Sequence, residues 1–176
     1  IAPDVVRLCL ELRKGAASVA DIGGAPGTLA REFARRGLST LIYDLKESNE
    51  VMRKELSRVK NISIVDGDAT KAFPSGVFDI VFLGNLCHGQ SPADNAKMFR
   101  MARERLSNGG MIAVFDNLKG EDNRSATLAL HMITQSPLGN VYTRAEYLGW
   151  LKDAGFKKLR VVKLTDPAWS LVVGYR

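Results

Sequence analysis

Three acids, a glycine loop and a histidine are the residues of this sequence best suited to chemistry. Asp21 leads directly into Gly23-Gly24-Ala25-Pro26-Gly27. Asp44 closes the apolar run before it, Asp68 sits in Gly67-Asp68-Ala69, and His88 follows Leu86-Cys87. Glycines let a backbone turn sharply and let a ligand approach it closely. A helix starting just after them would point its N-terminal amides at a ligand carboxylate. An acid ending a second strand is placed to accept hydrogen bonds from ribose hydroxyls. Asp68 is placed to accept from an exocyclic amine such as that of adenine. A histidine, with its pKa near neutrality, can take a proton from a hydroxyl.

These residues act together only if the chain brings them to one crevice. The hydrophobic pattern alternates strand and helix. Strands are predicted at Ser18–Ile22, Ser39–Tyr43, Ile62–Val65, Phe78–Leu83, Met111–Phe115, Lys157–Lys163 and Ala168–Val173. Helices are predicted at Pro26–Arg36 and Glu47–Val59. Another follows Ser91, a natural N-cap with Pro92 at the first helical position, and stops at Asn108-Gly109-Gly110. A further helix is expected around 126–134 inside an irregular stretch, and a last one from the Thr143 cap to about Ala154. Such alternation implies a mostly parallel sheet covered on both faces. The last two strands are joined only by Leu164–Pro167, too short for a parallel crossover, so they form an antiparallel hairpin. The expected fold class is therefore α/β: a Rossmann-like sandwich of seven strands, mostly parallel, with a C-terminal antiparallel hairpin. In such a sheet Asp21, Asp44 and Asp68 follow three neighbouring strands and converge beyond their carboxyl ends.

The 176 residues, 45% hydrophobic, suffice for one domain with a buried core. No apolar run reaches bilayer length, so no membrane partner is expected. Cys9 and Cys87 show no metal-ligand spacing and read as buried thiols, which fits a reducing, cytoplasmic setting. The formal charge of +6 raises the question of nucleic acid. The basic residues are scattered, however, as on helix faces carrying Arg31, Arg35 and Arg36 or Arg100, Arg103 and Arg105.

The loop does not meet the G-x-G-x-x-G fingerprint of nicotinamide cofactors. Its G-x-A-x-G spacing resembles the glycine loop of class I methyltransferases, with the middle glycine replaced by alanine. From about Ser18 to Phe156 the chain resembles one family in particular. This is the S-adenosylmethionine-dependent O-methyltransferases, which include plant caffeate-type and bacterial tailoring enzymes. The matching segments are VADIGGAPGTL, IYDLKE, VDGDAT, LGNLCHGQSPAD, LSNGGMIAVFD and NVYTRAEYLGWLKDAGF.

The resemblance implies a methyltransferase sandwich, S-adenosylmethionine as cofactor, no metal, and O-methylation of a small aromatic or polyketide-like hydroxyl. It implies that Asp21, Gly23, Gly24 and Gly27 form the cofactor loop, with the methionine moiety at Gly23 and its neighbours. Asp44 would bind ribose, Leu45 would pack on adenine, and Asp68 and Ala69 would bracket that ring. His88 would be the general base, supported by Asp116. Gly89-Gln90 stand where the family commonly has Asp-Trp. Val141 stands where plant members carry a second acid that orients the histidine, and Tyr142-Thr143 replaces their Arg-Thr pair. His131, with Leu128, Leu130, Met132 and Ile133, falls where relatives line the acceptor pocket, or else packs on the core. The family usually carries an N-terminal helical domain that dimerises and closes over the acceptor. Only Ala2–Lys14 precedes the first strand here, so 176 residues read as the catalytic domain alone, homodimeric if the longer protein has that domain. Two alternatives remain: a nucleic-acid methyltransferase, because Ala25-Pro26-Gly27 is similar to the loop of some RNA ribose methyltransferases, and a non-catalytic cofactor-binding module.

Overall fold

The computed structural model describes residues 1–121 and 140–176. The helix expected around 126–134, with His131, lies outside the described residues. Chain order begins with helix α1 (Ala2–Leu12), strand β1 (Ser18–Ile22), α2 (Thr28–Arg35), β2 (Ser39–Asp44), α3 (Lys46–Leu56) and β3 (Ile62–Asp66). It continues with β4 (Phe78–Gly84), α4 (Pro92–Glu104), β5 (Leu106–Asp116), α5 (Arg144–Asp153), β6 (Lys157–Lys163) and β7 (Ser170–Tyr175).

The seven strands of the described residues form one sheet in the order β3-β2-β1-β4-β5-β7-β6. The strands from β3 to β5 are mutually parallel. β7 runs antiparallel to both β5 and β6, so the expected β6–β7 hairpin is present, with β7 placed between β5 and the edge strand β6. Strand order reverses between β1 and β4, and a crevice opens beyond their carboxyl ends.

Period-two alternation along β4 explains why helices cover both faces. Val81 and Leu83 pack with Phe99, Tyr147 and Leu151 of α4 and α5. Ile80 and Phe82 pack on the other face with Val5, Val6 and Cys9 of α1 and Phe33 of α2. These side chains are fully buried, each stabilising the fold by roughly 1.5–3 kcal/mol for a large apolar group. Among the described residues no helix is long and apolar enough to cross a membrane.

Several boundaries differ from the sequence pattern for identifiable reasons. α2 starts at Thr28 rather than Pro26, because Gly27 takes the left-handed conformation (φ 84°) and serves as its N-cap. Asn108-Gly109-Gly110 does not stop α4. That helix ends at Glu104, and the glycines lie within β5, where Leu106 pairs with Phe78 and Met111 with Ile80 across a register shift. α1 was not anticipated, although Pro3 at its start and the buried Val5, Val6 and Cys9 are ordinary helix signals.

The amino ends of the strands are tied by a single carboxylate. Asp79 accepts hydrogen bonds from Ala17 N (2.9 Å), Ser18 N (3.3 Å), Ser18 Oγ (3.2 Å) and Ser107 Oγ (3.0 Å), and pairs with Arg13 (3.3 Å). Burial works against its charge, yet these donors hold the carboxyl below the usual aspartate range.

Candidate active site

Two adjoining cavities lie beyond the carboxyl ends of β1, β2 and β4, and Gly23 lines both. The first, about 280 Å³, includes Asp21, Gly23, Gly24, Asn85 and Phe115. The second, about 300 Å³, includes Asp44, Leu45, Asp68, Ala69, Leu86 and Gln90. The structure thus brings together Asp21, Gly23, Gly24, Asp44, Leu45, Asp68 and Ala69 in one continuous space. Gly27 lines neither cavity. It acts one step back, donating its N–H to Gly24 O (2.7 Å) and setting the start of α2.

The loop is braced to its neighbours by its own backbone. Gly23 N donates to Tyr43 O (2.8 Å), and Gly67 N donates to Asp44 O (2.9 Å). Asp44 accepts from Ala25 N (2.9 Å) on one oxygen and Leu45 N (2.7 Å) on the other. Each carboxylate oxygen retains a further lone pair for a ligand hydroxyl. Leu45, beside it, is half exposed (50%) at the cavity wall, an apolar surface available to a flat ring. Asp68 accepts from Thr70 N (2.9 Å) and Thr70 Oγ1 (2.6 Å) and pairs with Lys71 (3.0 Å). Those hydrogen bonds, Thr70's first, hold its carboxyl below the usual range.

Asp21 differs from the other two acids. It is only 2% exposed, and among the described residues its Oδ2 has no hydrogen-bond partner. Burial, then the nearby charge of Asp44, push its carboxyl up to about 7. A Cβ on Gly24 would come within 2.9 Å of this carboxyl, so any side chain there would have to displace it. A buried carboxylate with an unsatisfied oxygen, on a residue that lines a cavity, is a place for a cationic donor. These residues fit the amino-acid end, ribose and adenine of S-adenosylmethionine.

His88 lies in a single 3-10 turn, Cys87–Gly89, just after β4. Its Nδ1 donates to Asp116 Oδ1 (2.7 Å) at the end of β5. This partner fixes the tautomer in which Nε2 carries the lone pair. Burial pushes the imidazolium pKa down, but the hydrogen bond and charge of Asp116 prevail and raise it above the ordinary value. Leu86 and Gln90, on either side of the turn, line the second cavity.

Asp116 is fully buried. It also accepts from Asn117 N (2.9 Å), and its Oδ2 accepts from the Tyr147 hydroxyl (2.9 Å). Sequence reasoning did not single out Tyr147. Its signal was a tyrosine on the packed face of α5, where a buried phenol hydroxyl needs a partner. Asn85 was also missed. It lines the first cavity in the left-handed conformation (φ 55°), uncommon outside glycine and typical of asparagine when it does occur.

Comparison with known proteins agrees with this geometry. The family model described as "O-methyltransferase domain" matches residues 4–157. The tetracenomycin polyketide synthesis 8-O-methyl transferase of Streptomyces glaucescens is 30% identical over 89% of this chain and 48% of its own length. The 3-hydroxy-5-methyl-1-naphthoate 3-O-methyltransferase of Streptomyces sahachiroi is 27% identical over 90% of this chain and 48% of its own. The crystal structure of human N-acetylserotonin methyltransferase with S-adenosylmethionine superposes with a TM-score of 0.87 at 20% identity, over 99% of this chain and 51% of that one. The chain spans about half the length of the curated relatives it matches.

Proposed function

We propose, from the premise that this chain belongs to the O-methyltransferase domain family, that it is the cofactor-binding and catalytic part of an S-adenosylmethionine-dependent O-methyltransferase. Its acceptor is a hydroxyl on a small aromatic or polyketide-like molecule, the class named for its two Streptomyces relatives. Asp21, Gly23 and Gly24 would hold the amino-acid end of the cofactor, Asp44 its ribose, and Leu45, Asp68 and Ala69 its adenine. When bound, the cofactor supplies an electrophilic methyl group on a sulfonium.

The chain's own residues then do two things. The braced loop and the acids fix the cofactor's position, and positioning provides much of the rate in an in-line transfer. His88 takes the proton of the acceptor hydroxyl on Nε2, which makes the oxygen a competent nucleophile. Asp116 holds the ring through Nδ1 and stabilises the imidazolium that forms. The observation that carries this reading is the hydrogen bond at 2.7 Å from partly buried His88, in a turn whose neighbours line the cavity, to fully buried Asp116.

The test is His88→Ala, assayed on a panel of phenolic naphthoates and polyketides. Turnover should fall by roughly 10²–10⁴, the usual contribution of a general base. Cofactor affinity by calorimetry should change less than about twofold, since His88 lines neither cavity. Full turnover in this variant would remove His88 from the mechanism.

A further inference from the structure

We propose that Tyr147 is a positioning residue for His88, acting through Asp116 and standing in for the second acid whose place Val141 occupies. This rests on the general-base reading above. The geometry is a continuous hydrogen-bonded chain that runs from partly buried His88 into the core. The His88 imidazole donates to one oxygen of Asp116, and the Tyr147 hydroxyl donates to the other, at 2.7 and 2.9 Å. Asp116 and Tyr147 are both fully buried, so water does not compete for either contact. Val141 is buried and apolar, so it offers His88 no charge.

The phenol is held from several sides. Tyr147 stacks on Phe99 of α4 at 6.4 Å between centroids, and meets Tyr142 and Trp150 edge-on at 6.3 and 5.5 Å. Its rotamer is therefore set by packing, and the hydroxyl is aimed at Asp116 before any ligand arrives. Pre-organised support of this kind fixes a catalytic group more tightly than a single contact can.

A phenol donor changes what Asp116 does. It spreads part of the carboxylate's charge away from His88, so the imidazolium is stabilised less than by a bare carboxylate. Removing the donor leaves Asp116 Oδ2 unsatisfied in a dry site, and its charge falls more fully on His88. His88 then holds its proton more tightly. Among the described residues the other titratable groups in this assembly are few. Cys87, in the turn itself, lies within hydrogen-bonding reach of Tyr147, and burial keeps its thiol neutral. Tyr142 packs on Tyr147, and Glu146 and Asp94 act on Tyr142 rather than on His88.

Tyr147→Phe keeps the ring and its packing and deletes only the donor. The direct readout is the His88 pKa, followed through its imidazole Cε1 proton by NMR without cofactor or acceptor. The sequence has two histidines, so His88→Ala assigns the signal. Tyr147→Phe should raise this pKa by roughly 0.5–1 unit, the range for loss of one hydrogen bond to a coupled carboxylate. In turnover, the acid limb of the pH profile should move up by the same amount while the KM for cofactor stays put. Val6→Ala is the control. It loosens the core on the other face of the sheet and leaves the neighbours of Tyr147 intact, so it should lower the melting temperature and leave the pKa in place. An unchanged or lowered His88 pKa in Tyr147→Phe overturns the proposal. A raised pKa in a protein that transfers no methyl group would instead sink the general-base reading and leave this coupling standing.

Discussion

At the scale of single residues, the three acids that look alike in sequence carry different electrostatics. Asp68 is satisfied by Thr70 and Lys71, and Asp44 is bound to two backbone amides. Asp21 alone is buried with an unsatisfied oxygen and a carboxyl raised to about 7. Its linkage sign follows. An aspartate of ordinary pKa 3.8 gives up its proton in the unfolded chain, while the folded protein keeps it up to about pH 7. Folding stability therefore falls as pH rises from about 4 to 7 and stays lower above that. Asp21→Asn removes this one-proton slope. Thermal melts should show the variant gaining on the parent between pH 5 and 8, and parallel curves would contradict the raised carboxyl. Ionised Asp21 should also attract the cofactor's ammonium. Affinity for S-adenosylmethionine should rise through about pH 7 in the parent and stay flat in Asp21→Asn by calorimetry.

At the scale of elements, most of the fold was legible because the pattern was local. β6 was placed at Lys157–Lys163 from sequence and is found there, and Ser91 and Thr143 cap the helices that they introduce. The acids at strand ends were legible for the same reason: a short apolar run ending in Asp names its own carboxyl end. What was not legible depended on contacts between distant segments. Gly109 and Gly110 read as a helix stop, yet pairing with β4 draws them into β5. Tyr147 and Asp116 are far apart in sequence, and only the packing of α5 on the sheet joins them. Gly27 is the loop residue that starts α2. Its φ of 84° disfavours any side chain, and a Cβ there would meet Leu56 Cδ1 at 2.8 Å. Gly27→Ala should cost about 1–2 kcal/mol from the left-handed conformation alone, with further loss from displacing Leu56. The melting temperature should drop by several degrees on the usual scale for this chain length. Cofactor affinity should weaken as well, because α2 would enter the crevice at a different angle. A variant with parental stability would show that the loop relaxes freely.

At the scale of the whole molecule, the sheet separates chemistry from anchoring. The carboxyl ends of β1, β2 and β4 carry the cavities and His88, while Asp79 ties the amino ends of β1, β4 and β5 together at the far side. These hydrogen bonds lie at the end of the sheet opposite the cavities. Asp79→Ala should thus cost stability without altering the site. Loss of several hydrogen bonds to one charged carboxylate corresponds to about 2–4 kcal/mol. The folded-state carboxyl is depressed, so its contribution is fully present above the unfolded value of 3.8 and is lost as pH falls through the lower folded value. Urea unfolding should show a large gap between parent and variant at pH 7 that narrows below about pH 4. At a temperature where both remain folded, calorimetry should give the same S-adenosylmethionine affinity for each. A large loss of affinity would mean that the two ends of the sheet are mechanically coupled, and that Asp79 sets the crevice from a distance.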